Sequence, residues 1–230
     1  MKFVHPEISR VFNTEDTLVN TLVIENQSFM CRLLNDLHNQ IDGLNGQCVI
    51  SENDVPVSCA KCAELLDTFV PFDINKKPLL TKISAALERK AASSEYWEQT
   101  GRILTDFSNY LDELAFDFPC DIIFPKIGIG SLIKGAGPEL RDDYGSIGEK
   151  VIDYMELVRT FDRDKLFFTL NMRSFVTDDE TEQFMKTAVS HGYHVIMIES
   201  SDRPRLQTEN RLIIDIDLCE IDCNGSAPML

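Results

Sequence analysis

The sequence predicts an α/β protein: a head with a mainly parallel sheet, assembled from both ends of the chain, and a helical leg inserted between them. Three observations carry this. Apolar runs at Thr21-Leu-Val-Ile-Glu25, Leu166-Phe-Phe-Thr-Leu170 and His194-Val-Ile-Met-Ile198 have the unbroken character of strands covered on both faces. Helical periodicity dominates the middle of the chain, and the strand signals return only after it. With 230 residues, 43% of them hydrophobic, the chain is long enough to bury a sizeable core.

In chain order, the first dozen residues suit a short strand pair. The strand at 21–25 is followed by Met30, Leu33, Leu34, Leu37 and Ile41, which recur at helical spacing until Asp42-Gly43. A strand at Cys48-Val49-Ile50 precedes an expected helix carrying Cys62, Leu65, Leu66 and Phe69 and stopping at Pro71. Leu79, Ile83 and Leu87 then share one helical stripe, and Trp97, Leu104, Phe107, Leu111 and Leu114 another, on either side of Ser93-Ser94.

From Phe116 to Gly148 the prolines and glycines oppose any long regular element. Val151, Met155, Val158 and Phe161 mark a third amphipathic helix, expected to close the leg. Thr177 and Glu180 form a capping box for a helix ended by Gly192, which completes a β-α-β unit. Arg211 to Leu218 is expected to be a last strand. The head is therefore assigned to 1–71 and 163–230, and the leg to 72–162.

Composition narrows the function. Asp and Glu total 38 against 22 Lys and Arg, a formal net charge of -16, which argues against uniform coating by nucleic acid and leaves room for local basic patches. No secretory leader and no membrane-length apolar run is evident, so a cytoplasmic location without membrane contact is expected. The seven cysteines then read as reduced thiols.

Enzymatic motifs fail one by one. The turn after the first buried strand, Glu25-Asn26-Gln27-Ser28, has no glycine and no lysine, so no phosphate cradle and no nucleotide are expected. Gly128 to Gly137 lacks the Gly-Lys-Ser/Thr order and reads as a connection. Cys59 and Cys62, with Cys219 and Cys223, have the wrong spacing for a zinc knuckle and read as core. The four histidines suggest no triad. Asp215 and Asp217, two apart on the expected last strand, would face one way, as a metal-dependent nuclease centre or as a solvated strand face.

Two clusters remain. Asp112, Glu113, Asp117 and Asp121 crowd the end of the second long helix, with Asp142, Asp143 and Glu149 further on; they suit either calcium, which takes six to eight oxygens, or a solvated acidic turn. The leg also collects cations, among them Lys82, Arg89, Lys90, Lys126, Lys134, Arg141 and Lys150, which make a local DNA-binding patch plausible in so acidic a chain.

The order of elements, with Thr21-Leu-Val-Ile-Glu25, Glu64-Leu-Leu-Asp67, Phe72-Asp-Ile-Asn75, Lys165-Leu-Phe-Phe-Thr-Leu-Asn171, Thr177-Asp-Asp-Glu180 and Val195-Ile-Met-Ile-Glu199, resembles the accessory adaptation proteins of the Csn family in type II-A CRISPR-Cas systems. The resemblance implies a nucleotide-hydrolase-like head without its phosphate loop, helical legs and a homotetrameric ring. It also implies calcium, binding of double-stranded DNA ends, and support of spacer acquisition beside the CRISPR integrase complex and effector nuclease, with no catalysis. The family's calcium region aligns with Glu113-Leu-Ala-Phe-Asp117 and on to Asp121, and Asp142 and Asp143 are candidates for a second site. Pro119-Cys120 and Pro125 depart from the family's pattern there, and the segment 128–148 is richer in glycine. Two other readings compete: a nuclease using Asp215 and Asp217, and an acidic protein-binding adaptor.

Overall fold

A computed structural model describes residues 1–125 and 127–223 and divides them into two compact units, Met1–Ile74 with Asp143 onward, and Asn75–Asp142. The first unit holds β1 (Lys2–Val4), β2 (Phe12–Asn13), β3 (Val19–Ile24), α1 (Gln27–Ile41), β4 (Val49–Glu52), β5 (Val55–Val57), the single turn α2 (Cys59–Cys62) and β6 (Ala63–Leu66). The second holds α3 (Lys77–Ala91), α4 (Trp97–Ala115) and α5 (Ile129–Ala136). The chain then returns to the first with α6 (Ile147–Phe161), β7 (Leu166–Leu170), α7 (Asp178–His191), β8 (His194–Glu199), β9 (Glu209–Ile214) and β10 (Glu220–Asp222).

The main sheet has the order β10-β9-β3-β8-β7-β6, parallel throughout except for the antiparallel β9–β10 hairpin. Its inner strands β3, β7 and β8 are largely apolar on both sides because both sides are covered. Leu22, Ile24, Phe168, Ile196, Ile198, Leu212 and Ile214 meet Phe29, Leu33 and Leu37 of α1 on one face. A small sheet, β2-β1-β4-β5, extends that layer, with Phe3 edge-on to Phe168 at 5.0 Å. On the opposite face lie α6 and α7: Tyr154 stands edge-on to Phe167, and Phe184, Met185 and Ala188 of α7 are buried.

Local signals explain where the helices begin and end. Thr177 accepts from the Glu180 amide while the Glu180 carboxylate accepts from the Thr177 amide, the reciprocal box expected at the start of α7. Its end is Gly192 at φ +67°, a left-handed turn that a Cβ would strain.

Three expectations need correction. The helix expected over Cys62–Phe69 is one turn, after which Ala63–Leu66 joins the sheet edge parallel to β7. A short apolar run carries no period that separates a buried strand from a helix, and the partner strand decided it. The helix Ile147–Phe161 belongs to the head, because Val151, Met155 and Val158 are buried there and α6 packs on α7. The inserted unit is thus Asn75–Asp142, shorter at its C-terminal side than the expected 72–162. Finally, the glycine-rich stretch is not all loop: α5 packs on α3, and a Cβ at Gly130 would lie 2.5 Å from the Glu88 carboxylate, so glycine permits the approach.

Candidate nucleic-acid interface

The sheet order makes β3 the switch point, flanked by β8 on one side and β9 on the other. In open α/β sheets ligands bind outside the carboxyl end of such a strand, where the next helix presents free N–H groups. Here that position is taken by a side chain. Asn26 Oδ1 accepts from the Phe29 amide at 2.9 Å, and Asn26 Nδ2 donates to the Ile216 carbonyl at 2.7 Å. The turn between β3 and α1 is two residues long, Glu25 and Asn26, too short to wrap a phosphate.

The expected cations divide between the units. Lys82 and Arg89 lie seven residues apart on α3 and so share one stripe. Lys90 ends that helix with its ammonium 5.5 Å from the centre of the Tyr96 ring. Lys134 is in the last turn of α5, and Arg141 follows it on an exposed segment. Lys150 is on α6 and therefore belongs to the head. Lys126 lies outside the described residues.

The acidic joint is exposed. Glu113 sits in the last turn of α4 beside Asp112, and Asp117 and Asp121 follow beyond its end, around a Phe116 that is 86% exposed. Asp142 closes the inserted unit and Asp143 opens the returning head segment. Carboxylate oxygens have the right chemistry for calcium. Their placement does not complete a shell: among the described residues no three His, Cys, Asp or Glu side chains gather closely enough to share a metal ion.

The strand face expected to be shared by Asp215 and Asp217 is not present. The strand ends at Ile214, so Asp215 and Asp217 fall in the turn to β10 and do not share a strand face. The Asp215 carboxylate accepts from the Asp217 amide at 2.9 Å and the Cys219 amide at 2.8 Å, which closes the turn in which Leu218 adopts φ +66°. Its role is local capping, which the two-residue spacing imitated.

The buried thiols behave as core. Cys48, Cys59 and Cys62 pack in the cluster beneath α1, and burial pushes Cys48 up to about 12 and Cys62 to about 11, with Cys59 also raised. Cys219 is exposed on the hairpin turn.

A feature that the sequence reading missed lies on the α7 face of the sheet. Arg173, Glu199, Glu209 and Arg211 are almost fully buried together. Arg211 pairs with Glu209 at 2.7 Å and with Asp202 at 2.5 Å, while Arg173 reaches Asp178 at 2.8 Å and Glu209 at 3.7 Å. Burial raises the Glu199 carboxyl to about 7 despite the Arg173 amide at 3.2 Å. The only sequence signal is the charge that interrupts two apolar strands, Glu199 and Arg211.

Parallel strands with helices on both faces, a capped turn where a phosphate loop would stand and a cation-bearing helical insertion define a nucleotide-hydrolase-like α/β head without a phosphate loop. The model for the CRISPR-associated protein family Cas_Csn2 matches residues 40–218. The chain belongs to that family, whose members are accessory CRISPR proteins, and membership implies a role in CRISPR adaptation. The solved structure of Stu0660 of Streptococcus thermophilus is similar, with a TM-score of 0.56 over 94% of this chain and 75% of that one at 13% identity, a likeness of fold. No curated protein matches the chain. No helix among the described residues is long and apolar enough to cross a membrane.

Proposed function

We propose that the chain is a non-catalytic, calcium-dependent protein that binds the ends of double-stranded DNA as a homotetrameric ring and supports spacer acquisition in the cytoplasm. The integrase complex and the effector nuclease of the CRISPR system are its expected partners. The observation that carries the DNA reading is the stripe of Lys82 and Arg89 on α3, with Lys90 at its end and Lys134 on the helix packed against it, in a chain of net charge -16. A binding mode that rests on such cations contacts phosphates and ignores sequence. The short capped turn at Asn26 supports the absence of a nucleotide from this mechanism.

Calcium enters through the family resemblance and the oxygen-rich run 112–121. Among the described residues no three His, Cys, Asp or Glu side chains gather there, so a complete shell needs further oxygens, from backbone carbonyls, water or a second chain. Native mass measured in calcium and in chelator tests this part: a tetramer that dissociates on chelation supports it, and an unchanged mass removes calcium from the assembly.

Gel shifts with linear duplex and with a covalently closed minicircle test the rest. Binding of the linear form, falling steeply with salt, and failure on the minicircle are expected. Equal binding of both would remove threading, and no binding of either would favour an acidic adaptor that recruits basic proteins.

A further inference from the structure

The connection between β9 and β10 passes through Ile216, Asp217 and Leu218, and hydrogen bonds fix it from both sides. The Asp215 amide donates to the Cys219 carbonyl at 3.1 Å, and the Leu218 amide donates to the Asp215 carbonyl at 3.1 Å. The Asp215 carboxylate holds the Asp217 and Cys219 amides, and the Ile216 carbonyl accepts from Asn26 at the start of α1. A hairpin loop of this length ends on a left-handed residue, a slot that glycine fills without strain. Here the slot holds Leu218 at φ +66°. The other non-glycine residues at positive φ among the described residues are Asn53, Asp54 and Asn171, types that tolerate that region. Leucine enters it only under strain.

The strained side chain does not fill the core. Leu218 is 49% exposed, Ile216 70% and Ile221 47%, so the edge of the main sheet ends in three aliphatic side chains that face water. Strain and exposure both work against the isolated chain, and asparagine at 218 would relieve both. A conformational outlier held in place by its surroundings points to a contact that uses it. The hydrogen bonds to Asp215 and Asn26 also fix the tip in advance, so it loses little freedom when it docks.

Charge selects the kind of partner. From Leu212 to Cys223 the chain has four acids, Asp215, Asp217, Glu220 and Asp222, and no lysine or arginine. Asp217, Glu220 and Asp222 are exposed around the aliphatic side chains. These acids repel phosphates, which excludes nucleic acid as the occupant. A two-fold contact between copies would set the same acids against themselves. The geometry points to the tip of the β9–β10 hairpin as the anchor for a different protein, one that receives Ile216, Leu218 and Ile221 in an apolar pocket rimmed by lysine or arginine. The choice of candidate partners rests on the role in spacer acquisition proposed above.

The test titrates the wild-type chain and the double variant Ile216→Asn, Leu218→Asn against the purified integrase complex and the purified effector nuclease. The wild type should bind at least one of them, and the variant should bind it at least about tenfold more weakly. The melting temperature of the variant should be held or raised, because asparagine accepts the left-handed conformation and both side chains are exposed. Asp217→Lys should slow association several-fold at low salt and less at high salt. Equal binding by variant and wild type, or binding of the wild type to neither protein, overturns the docking tip. A fall in melting temperature makes Leu218 a packing residue, and a fall in native mass makes the tip a contact between copies; either result also overturns it. Gel shifts with linear duplex separate the two readings. Loss of duplex binding in the wild type removes the DNA function, whereas duplex binding beside unchanged partner binding in the variant removes only the hairpin contact.

Discussion

Glu209 and Arg211 stand two residues apart on β9 and form a bidentate ion pair inside the protein, with Arg211 Nε and Nη2 at 2.8 and 2.7 Å from the two Glu209 carboxylate oxygens. Their side chains are 0% and 4% exposed. Such a pair is held together by the expense of separating it: each charge has left water, Glu209 being compensated by Arg211, by Arg173 and by the Leu206 amide, and Arg211 by Glu209, Asp202 and the Arg203 and Pro204 carbonyls. Arg211→Met should strand Glu209 and destabilise the protein by roughly 3–5 kcal/mol, read as a fall in the urea midpoint at constant slope. A loss under about 1 kcal/mol would show that Arg173, 3.7 Å away, takes over as the partner.

Glu199 gives a pH dependence. Burial first, and Glu209 beside it, raise its carboxyl from 4.5 to about 7, against the lowering effect of Arg173 and Arg203. The folded state therefore keeps this proton over a range in which the unfolded chain has lost it. Its contribution to stability is fully present below about pH 4.5 and is lost as pH rises through 7, on the order of 3 kcal/mol in all. Glu199→Gln keeps the acceptor for the Arg173 amide and should flatten the stability profile between pH 4.5 and 7. A profile identical to wild type would remove Glu199 as its source.

The thiols should separate by burial. Cys48, Cys59 and Cys62 are buried with raised pKa values, while Cys31, Cys120 and Cys219 are exposed. Alkylation of the native protein at pH 8, followed by mass spectrometry, should label the exposed three and spare the buried three until denaturant is added. Early labelling of Cys59 or Cys62 would reopen their reading as a redox or metal pair.

For DNA, Lys82→Ala and Arg89→Ala should each weaken duplex binding alike for all sequences and reduce the slope of log K against log salt by about one. Fluorescence anisotropy at several salt concentrations measures this. Unchanged slopes for both would exclude the α3 stripe from the interface.

The sequence by itself determined the buried parallel strands, the capping box at Thr177 and Glu180, the turn without glycine at Asn26 and the two long helices of the insertion. Each is a local matter of periodicity, side-chain reach or backbone freedom, and needs no distant partner to be legible. Tertiary structure alone decided that Ala63–Leu66 is a strand, because a four-residue apolar run takes its form from the neighbour that hydrogen-bonds to it. It likewise decided that α6 packs in the head, and it brought Arg173, Glu199, Glu209 and Arg211 from three separate segments into one buried network. The candidate site divided the same way: charge content was visible in the sequence, but which charges share a face depends on the helix packing of α3 and α5 and on where the chain returns to the head. Composition counts ions without regard to position, and position is what a duplex or a metal ion responds to.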